Sequence, residues 1–179
     1  QAAVLAADDG ERDLQITSQT GSGKTVALGF VLAARLRARA TMPKGPNTLI
    51  ITPTRELAQQ VKEELAWLFA DLRGVRLDCV TGGTHVGAEQ MRLQRLPVVL
   101  VGTPGRLLDH VRSGALDLAE VTQVVLDEAD QMLDLGFRDD LLAILAAMPA
   151  ERRTHLVSAT FPPEVRELTR EYQRDPLHV

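Results

Sequence analysis

The sequence predicts an α/β domain in which a doubly wound, mainly parallel β-sheet carries helices on both faces. Three observations lead there. Short aliphatic runs, Leu49-Ile50-Ile51, Val98-Val99-Leu100-Val101 and Val124-Val125-Leu126, are almost continuously apolar, as strands covered on both faces must be. Between the runs lie longer stretches whose apolar residues recur three and four apart, the spacing of a helix stripe. The two kinds of segment alternate along the chain, which is the pattern of parallel strands joined by crossover helices.

Taken in order, strands are expected over 14–17, 48–52, 76–80, 98–102, 123–127 and 154–158. Helices are expected over 24–39, 54–69, 104–113, 137–148 and 163–172. Pro53, Pro104 and Pro163 fall near the first turns of three of these helices, where a missing N–H costs nothing. Residues 41–46, with Pro43, Gly45 and Pro46, read as a polar loop, and Gly82-Gly83 marks a second break. No internal repeat or low-complexity tract interrupts the pattern. At 179 residues, 45% of them apolar, the chain has the size of one domain spanning 1–179 and can bury a core without covalent staples.

Composition narrows the functional classes. A formal charge of −4 argues against gripping nucleic acid by bulk positive charge, so any such contact must be local. Only 3% of residues are aromatic, too few for the repeated stacking platforms of single-strand binders. Cys79 is the only cysteine; no internal disulfide can form, and a reducing compartment, by default the cytoplasm, is expected. The longest apolar stretch, residues 26–34, falls far short of the ~20 residues that span a bilayer, so no membrane partner is expected. His85, His110, His155 and His178 stand at no metal-ligand spacing with Cys or Asp, and are read as surface or packing residues. Cys79, inside an expected strand, reads as core.

Two motifs carry chemistry. After the first strand comes Ser18-Gln19-Thr20-Gly21-Ser22-Gly23-Lys24-Thr25, with a helix following at once. Glycines allow backbone N–H groups to turn inward around phosphate oxygens, the helix start adds partial positive charge, and Lys24 neutralises the outer phosphates. Thr25 offers a hydroxyl to magnesium. The strict pattern has glycine where this chain has Ser18. The second motif is an acid at the end of a buried strand: Asp127 would hold magnesium through water, and Glu128 would orient or deprotonate a water near the γ-phosphate. In open α/β sheets ligands sit beyond the carboxyl ends of the strands, and both motifs are placed there.

Asp127-Glu128-Ala129-Asp130 also resembles the acidic motif of the DEAD-box RNA helicases, in their first RecA-like domain. The resemblance covers essentially the whole chain. In family order it includes Pro53-Thr54-Arg55-Glu56-Leu57-Ala58, Gly82-Gly83, Thr103-Pro104-Gly105-Arg106 and Ser158-Ala159-Thr160. It implies that ATP and Mg²⁺ are bound by Ser18, Gln19, Thr20, Gly21, Ser22, Gly23, Lys24 and Thr25 with Asp127, and that Gln1 reads the adenine edge. It implies that Pro53, Thr54, Arg55, Gly83, Thr103, Gly105 and Arg106 face the sugar-phosphate backbone of RNA. Hydroxyls, helix-start N–H groups and arginines suit that task, since they grip phosphates without reading bases. Ser158 and Thr160 would link the two sites by bonding back to Asp130, and Glu56 would partner an arginine within the chain.

The family works with a second RecA-like domain in cis, which supplies arginines to the reacting phosphates; none of its motifs follows Val179. The chain is therefore expected to be a monomeric fragment that binds nucleotide with little or no turnover. It departs from the family in lacking the upstream segment with an adenine-stacking aromatic residue, and in having Leu96 and Val98 where glycine and aspartate are usual. Two other classes share parts of this pattern: a DNA-directed superfamily-2 helicase or other translocating motor, disfavoured by the acidic and Pro-Thr-Arg-Glu-Leu-Ala motifs, and a non-enzymatic RNA clamp or assembly factor, disfavoured by the intact Lys24 and Glu128.

Overall fold

The computed structural model describes residues 2–18, 23–37 and 44–179. Along the chain run α1 (Ala2–Ala7), β1 (Leu14–Thr17), α2 (Lys24–Arg37), β2 (Thr48–Ile51), α3 (Arg55–Leu68), β3 (Leu77–Val80), α4 (Val86–Leu93) and β4 (Val99–Gly102). They are followed by α5 (Pro104–Arg112), β5 (Gln123–Asp127), α6 (Ala129–Asp134), α7 (Arg138–Ala146), β6 (Arg153–Ser158), α8 (Pro163–Tyr172) and β7 (Leu177–His178).

The strands form one sheet in the order β3-β4-β2-β5-β6-β1-β7, and every pairing is parallel. Because side chains alternate along a strand, each central strand feeds two cores. Leu49 and Ile51 of β2, Leu100 of β4 and Val124 and Leu126 of β5 pack with α5, α6, α7 and α8. Ile50, Val99, Val101 and Val125, from the same strands, pack with α2 and α3 on the other face. β2, β4, β5 and β6 are buried along their whole length, which accounts for the unbroken apolar runs in the sequence.

The expected elements are all present, with ends moved by a residue or two. Thr54 is the N-cap of α3 rather than its first residue; its hydroxyl accepts from the Leu57 amide at 3.2 Å, satisfying one of the N–H groups left open at a helix start. The expected helix 24–39 is α2 to Arg37, and residues 38 and 39 lie outside the described residues.

Four elements escaped the sequence reading: α1, α4, α6 and β7. α4 is the instructive one. Its two buried residues, four apart, are Glu89 and Leu93, so a charged residue occupies half of its inward face and erases the apolar stripe. β7 contributes two residues at the edge of the sheet beside β1. Among the described residues no helix is long and apolar enough to cross a membrane. Cys79 is buried in β3, and burial pushes its thiol up to about 11, the state of a packing residue and not of a nucleophile.

Candidate functional site

The carboxyl edge of the sheet carries two groups of motif residues, one in each half. β1 and β5, with β6 between them, carry the loop ending in Gly23-Lys24-Thr25, the acidic pair and Ser158. β2, β4 and β3, on the other side of β5, carry Thr54-Arg55, Thr103 to Arg106 and Gly82-Gly83.

In the first half, Lys24 opens α2 and is buried. Its Nζ donates to the Ser18 carbonyl at 3.3 Å and stands 4.0 Å from both Asp127 Oδ1 and Glu128 Oε1. Asp127 ends β5, and its Oδ1 is buried with no hydrogen-bond partner among the described residues. Burial pushes its carboxyl up to about 6, against the pull of Lys24. An orphaned buried oxygen beside a lysine is the donor that a hard cation or its water requires, so these residues fit magnesium. Glu128 adopts a left-handed backbone, φ 56°, unusual for a residue with a long side chain, at the turn from β5 into α6.

A cleft of about 370 Å³ opens here, between Gly23, Lys24, Thr25, Asp127 and Glu128 on one side and Leu57, Gln60 and Glu64 of α3 on the other. Gln60 and Glu64 were not singled out from the sequence. Gln60 donates to Glu64 at 2.8 Å, and their spacing along α3 is the only hint the sequence holds that they share a face with Leu57. Of the residues assigned to nucleotide, Gln1, Gln19, Thr20, Gly21 and Ser22 lie outside the described residues.

Within the first half, where β5 and β6 end side by side, the Ser158 hydroxyl accepts from the Asp130 amide at 3.2 Å. Asp130 Oδ2 accepts from the Thr160 amide at 2.9 Å and its hydroxyl at 2.7 Å. Burial works to raise the Asp130 carboxyl, and the bonds from Thr160 and Ser158 outweigh it and hold it below its ordinary value.

In the second half, the motif residues of three strand ends meet. Arg55 starts α3 and reaches the Gly82 carbonyl at 3.5 Å. Gly83 has φ +81°, which favours glycine, and a Cβ on it would lie 2.2 Å from Arg55 Nη1, so a side chain there would push the guanidinium aside. Pro53 and Thr103 are buried. Gly82 and Gly105 differ from Gly83. A Cβ on Gly82 would meet nothing within 4 Å and one on Gly105 only Asp140 Oδ2, at an ordinary 3.6 Å, so nothing inside the chain calls for glycine at either.

Arg106 faces inward, its side chain 11% exposed, and donates to Glu89 Oε2 at 2.7 Å and to the Thr84 carbonyl at 3.2 Å. The carboxylate partner of this arginine is therefore Glu89 and not Glu56, which is exposed and forms no ion pair among the described residues. A pair 17 residues apart in the chain leaves no periodic signature, which is why the sequence did not disclose it.

The chain matches the sequence model of the DEAD/DEAH box helicase family over residues 1–168. It is 42% identical to the ATP-dependent RNA helicase DeaD of Escherichia coli strain K12, over 94% of this chain and 26% of that protein. It is 38% identical to the ATP-dependent RNA helicase DbpA of Bacillus subtilis, over 100% of this chain and 36% of that one. The crystal structure of a DEAD box protein from the hyperthermophile Methanococcus jannaschii superimposes with a TM-score of 0.85 at 36% identity, covering 94% of this chain and 45% of that one. The chain thus spans about a quarter to a third of the curated relatives it matches.

Proposed function

The chain belongs to the DEAD/DEAH box helicase family, and from that premise we propose that it is the ATP-binding domain of an RNA helicase that couples ATP binding and hydrolysis to local opening of an RNA duplex. The observation that carries the reading is the triad of Lys24, Asp127 and Glu128: one buried ammonium 4.0 Å from two carboxylates, with Asp127 Oδ1 unpartnered, at the mouth of a cleft. Such a site is incomplete in itself and is completed by an anion that brings its own cation.

Lys24 then exchanges its weak contacts with the carboxylates for the outer phosphates, and Thr25 and Asp127 are the residues that would hold magnesium, Asp127 through water. The chemistry magnesium would supply there is neutralisation of the charge that develops on the phosphates. Glu128, held by its left-handed backbone at the cleft, orients a water and takes its proton. Thr54, Arg55, Gly83, Gly105 and the outer part of Arg106 form the surface toward the RNA backbone, with Pro53 and Thr103 buried directly beneath it; the idle glycines at 82 and 105 support this, because a position with no internal need for glycine suits close approach from outside. The Asp130, Ser158 and Thr160 bonds tie the end of β5 to the end of β6 beside the nucleotide cleft, and through them closure at the phosphates is passed on to the RNA-facing strand ends.

A second RecA-like domain in cis completes the phosphate site, so this chain alone binds nucleotide with little turnover. The test is ATP hydrolysis with and without RNA, measured on this chain and on the full-length protein side by side. RNA stimulation is expected in the full-length protein only, and Glu128→Gln there is expected to stop turnover while ATP affinity stays within a few-fold. Turnover indifferent to RNA would sink the coupling, and normal turnover in Glu128→Gln would remove Glu128 from the chemistry.

A further inference from the structure

Among the described residues Glu89 is the charged side chain with the most hydrogen bonds, and the chemistry above makes no use of it. It sits on α4 with no exposed surface. Its Oε1 accepts from the Thr81 amide at 3.0 Å and from the Thr84 hydroxyl; its Oε2 accepts from Arg106 Nη1 at 2.7 Å and meets His110 Nε2 at 2.7 Å. His110 is fully buried on α5, four residues after Arg106, and its Nδ1 has no partner. The proton is therefore assigned to Nε2, where it faces the carboxylate. Burial works to raise the Glu89 carboxyl, and the bonds from Thr84, His110 and Arg106 outweigh it and leave Glu89 below its ordinary value.

These donors come from two separate segments. Thr81 and Thr84 flank Gly82-Gly83 in the loop after β3; Arg106 and His110 belong to α5. Apart from a bond from the Thr103 amide to the Val80 carbonyl at 3.3 Å and from Arg106 to the Thr84 carbonyl, Glu89 supplies the polar contacts that join them. The Gly82-Gly83 loop has a glycine at positive φ and so little stiffness of its own. A buried carboxylate with both oxygens bonded fixes the geometry of its donors; removing it leaves those donors buried and unpaired.

We propose that Glu89 is the positioning residue that locks the 81–84 loop and the start of α5 into one rigid surface, so that RNA backbone is gripped by both segments together. This rests on the RNA-facing reading above. It gives Arg106 a defined posture: Nη1 is anchored inward, and the rest of the guanidinium is aimed from that anchor.

The test uses this chain with a fluorescent oligouridine for RNA, calorimetry for ATP, and amide hydrogen exchange. Glu89→Gln turns an acceptor into a donor facing Arg106 and His110. It is expected to speed exchange both at the Thr81 amide, which bonds to Glu89, and in the first hydrogen-bonded turn of α5 at 107–110, while β2, β5 and α2 keep their protection. RNA affinity is expected to fall tenfold or more, with ATP affinity within twofold. Thr84→Val is expected to weaken RNA binding in the unsubstituted chain and to have no further effect in Glu89→Gln, since both act through one carboxylate. If Glu89→Gln does not fold, Thr84→Val and Arg106→Lys carry the same cycle, and their combined effect is expected to be less than the product of the two. Faster exchange confined to one segment, additive effects, or unchanged RNA affinity in a folded Glu89→Gln overturns the proposal and leaves the RNA-facing reading standing. Failure of the unsubstituted chain to bind the oligonucleotide overturns that reading, and the proposal with it.

Discussion

The two halves of the carboxyl edge treat charge in opposite ways. Around β1 and β5 the charged groups are buried and under-satisfied: Lys24 is 4.0 Å from each carboxylate, Asp127 Oδ1 has no partner, and the Asp127 carboxyl is pushed up to about 6. Around β3 and β4 the buried carboxylate of Glu89 has a donor on every side and titrates below its ordinary value. An unpaired buried charge costs free energy that a ligand of opposite charge recovers, so the first half suits a site whose ligand carries phosphate and metal. A fully paired charge offers a ligand nothing directly but holds a surface in shape, which is what gripping a backbone without reading bases needs.

The comparison breaks most visibly at Lys24. Lys24→Ala removes the only ammonium among the described residues that line the cleft and is expected to reduce ATP affinity at least a hundredfold, roughly 3 kcal/mol, while oligouridine affinity stays within twofold; unchanged ATP binding by calorimetry would overturn the loop assignment.

Asp127 sharpens the contrast through pH. Unfolded, it loses its proton near 3.8; folded, at about 6. The folded state therefore holds more protons between those values, and the contribution of Asp127 to stability falls as pH rises from 3.8 to 6 and stays low above. Asp127→Asn is thus expected to stabilise the ligand-free chain at pH 7, by up to about 3 kcal/mol, and to abolish magnesium-dependent nucleotide binding. In the unsubstituted chain, magnesium-nucleotide affinity should decline below pH 6 while RNA affinity stays level to pH 5, since Glu89 titrates lower still. Denaturant melts and parallel titrations across pH 5 to 8 check both.

Within the second half, two glycines separate internal from external causes. Gly83→Ala forces a left-handed alanine, about 1 kcal/mol, and displaces the Arg55 guanidinium, so both stability and RNA affinity are expected to fall. Gly105→Ala, with ordinary contacts and a place in the first turn of α5, is expected to leave the melting midpoint unchanged or slightly higher while RNA affinity drops several-fold. A Gly105→Ala chain that binds RNA normally would remove close backbone approach from the interface.

The smallest expected effect lies at neither half. Leu96 has φ 52°, a conformation that costs a branched side chain about 1 kcal/mol and glycine nothing. This accounts for glycine being usual there in the resembled family. Leu96→Gly is expected to stabilise the chain by about 0.5 to 1 kcal/mol, part of the relief being offset by the freer unfolded chain, with no change in either affinity.

Much of this was legible in the sequence because it is local. A strand buried on both faces needs consecutive apolar residues, so Leu49-Ile50-Ile51 and Val124-Val125-Leu126 announced themselves. A phosphate loop needs its glycines and lysine adjacent, and an acid at a strand end needs only the strand before it. Helices with a clean stripe were found, whereas α4 was not, because its inward residue is Glu89. Gln60 and Glu64 went unread for a related reason: what makes them notable is the cleft they face, and a cleft is made by elements distant in the chain.

By itself, then, the sequence determined the order of strands and helices, the chemistry at each strand end and the family, since each depends on residue type at short spacing. Tertiary structure alone decided which strand ends became neighbours, that Asp127 keeps an unpartnered oxygen, and that Arg106 turns inward to Glu89 and His110. The physical reason is that burial and pairing are properties of the assembled environment. Desolvation moves a carboxyl up or leaves it down according to which donors the fold brings within 3 Å, and nothing in the spacing of Glu89 and Asp127 along the chain distinguishes the two fates.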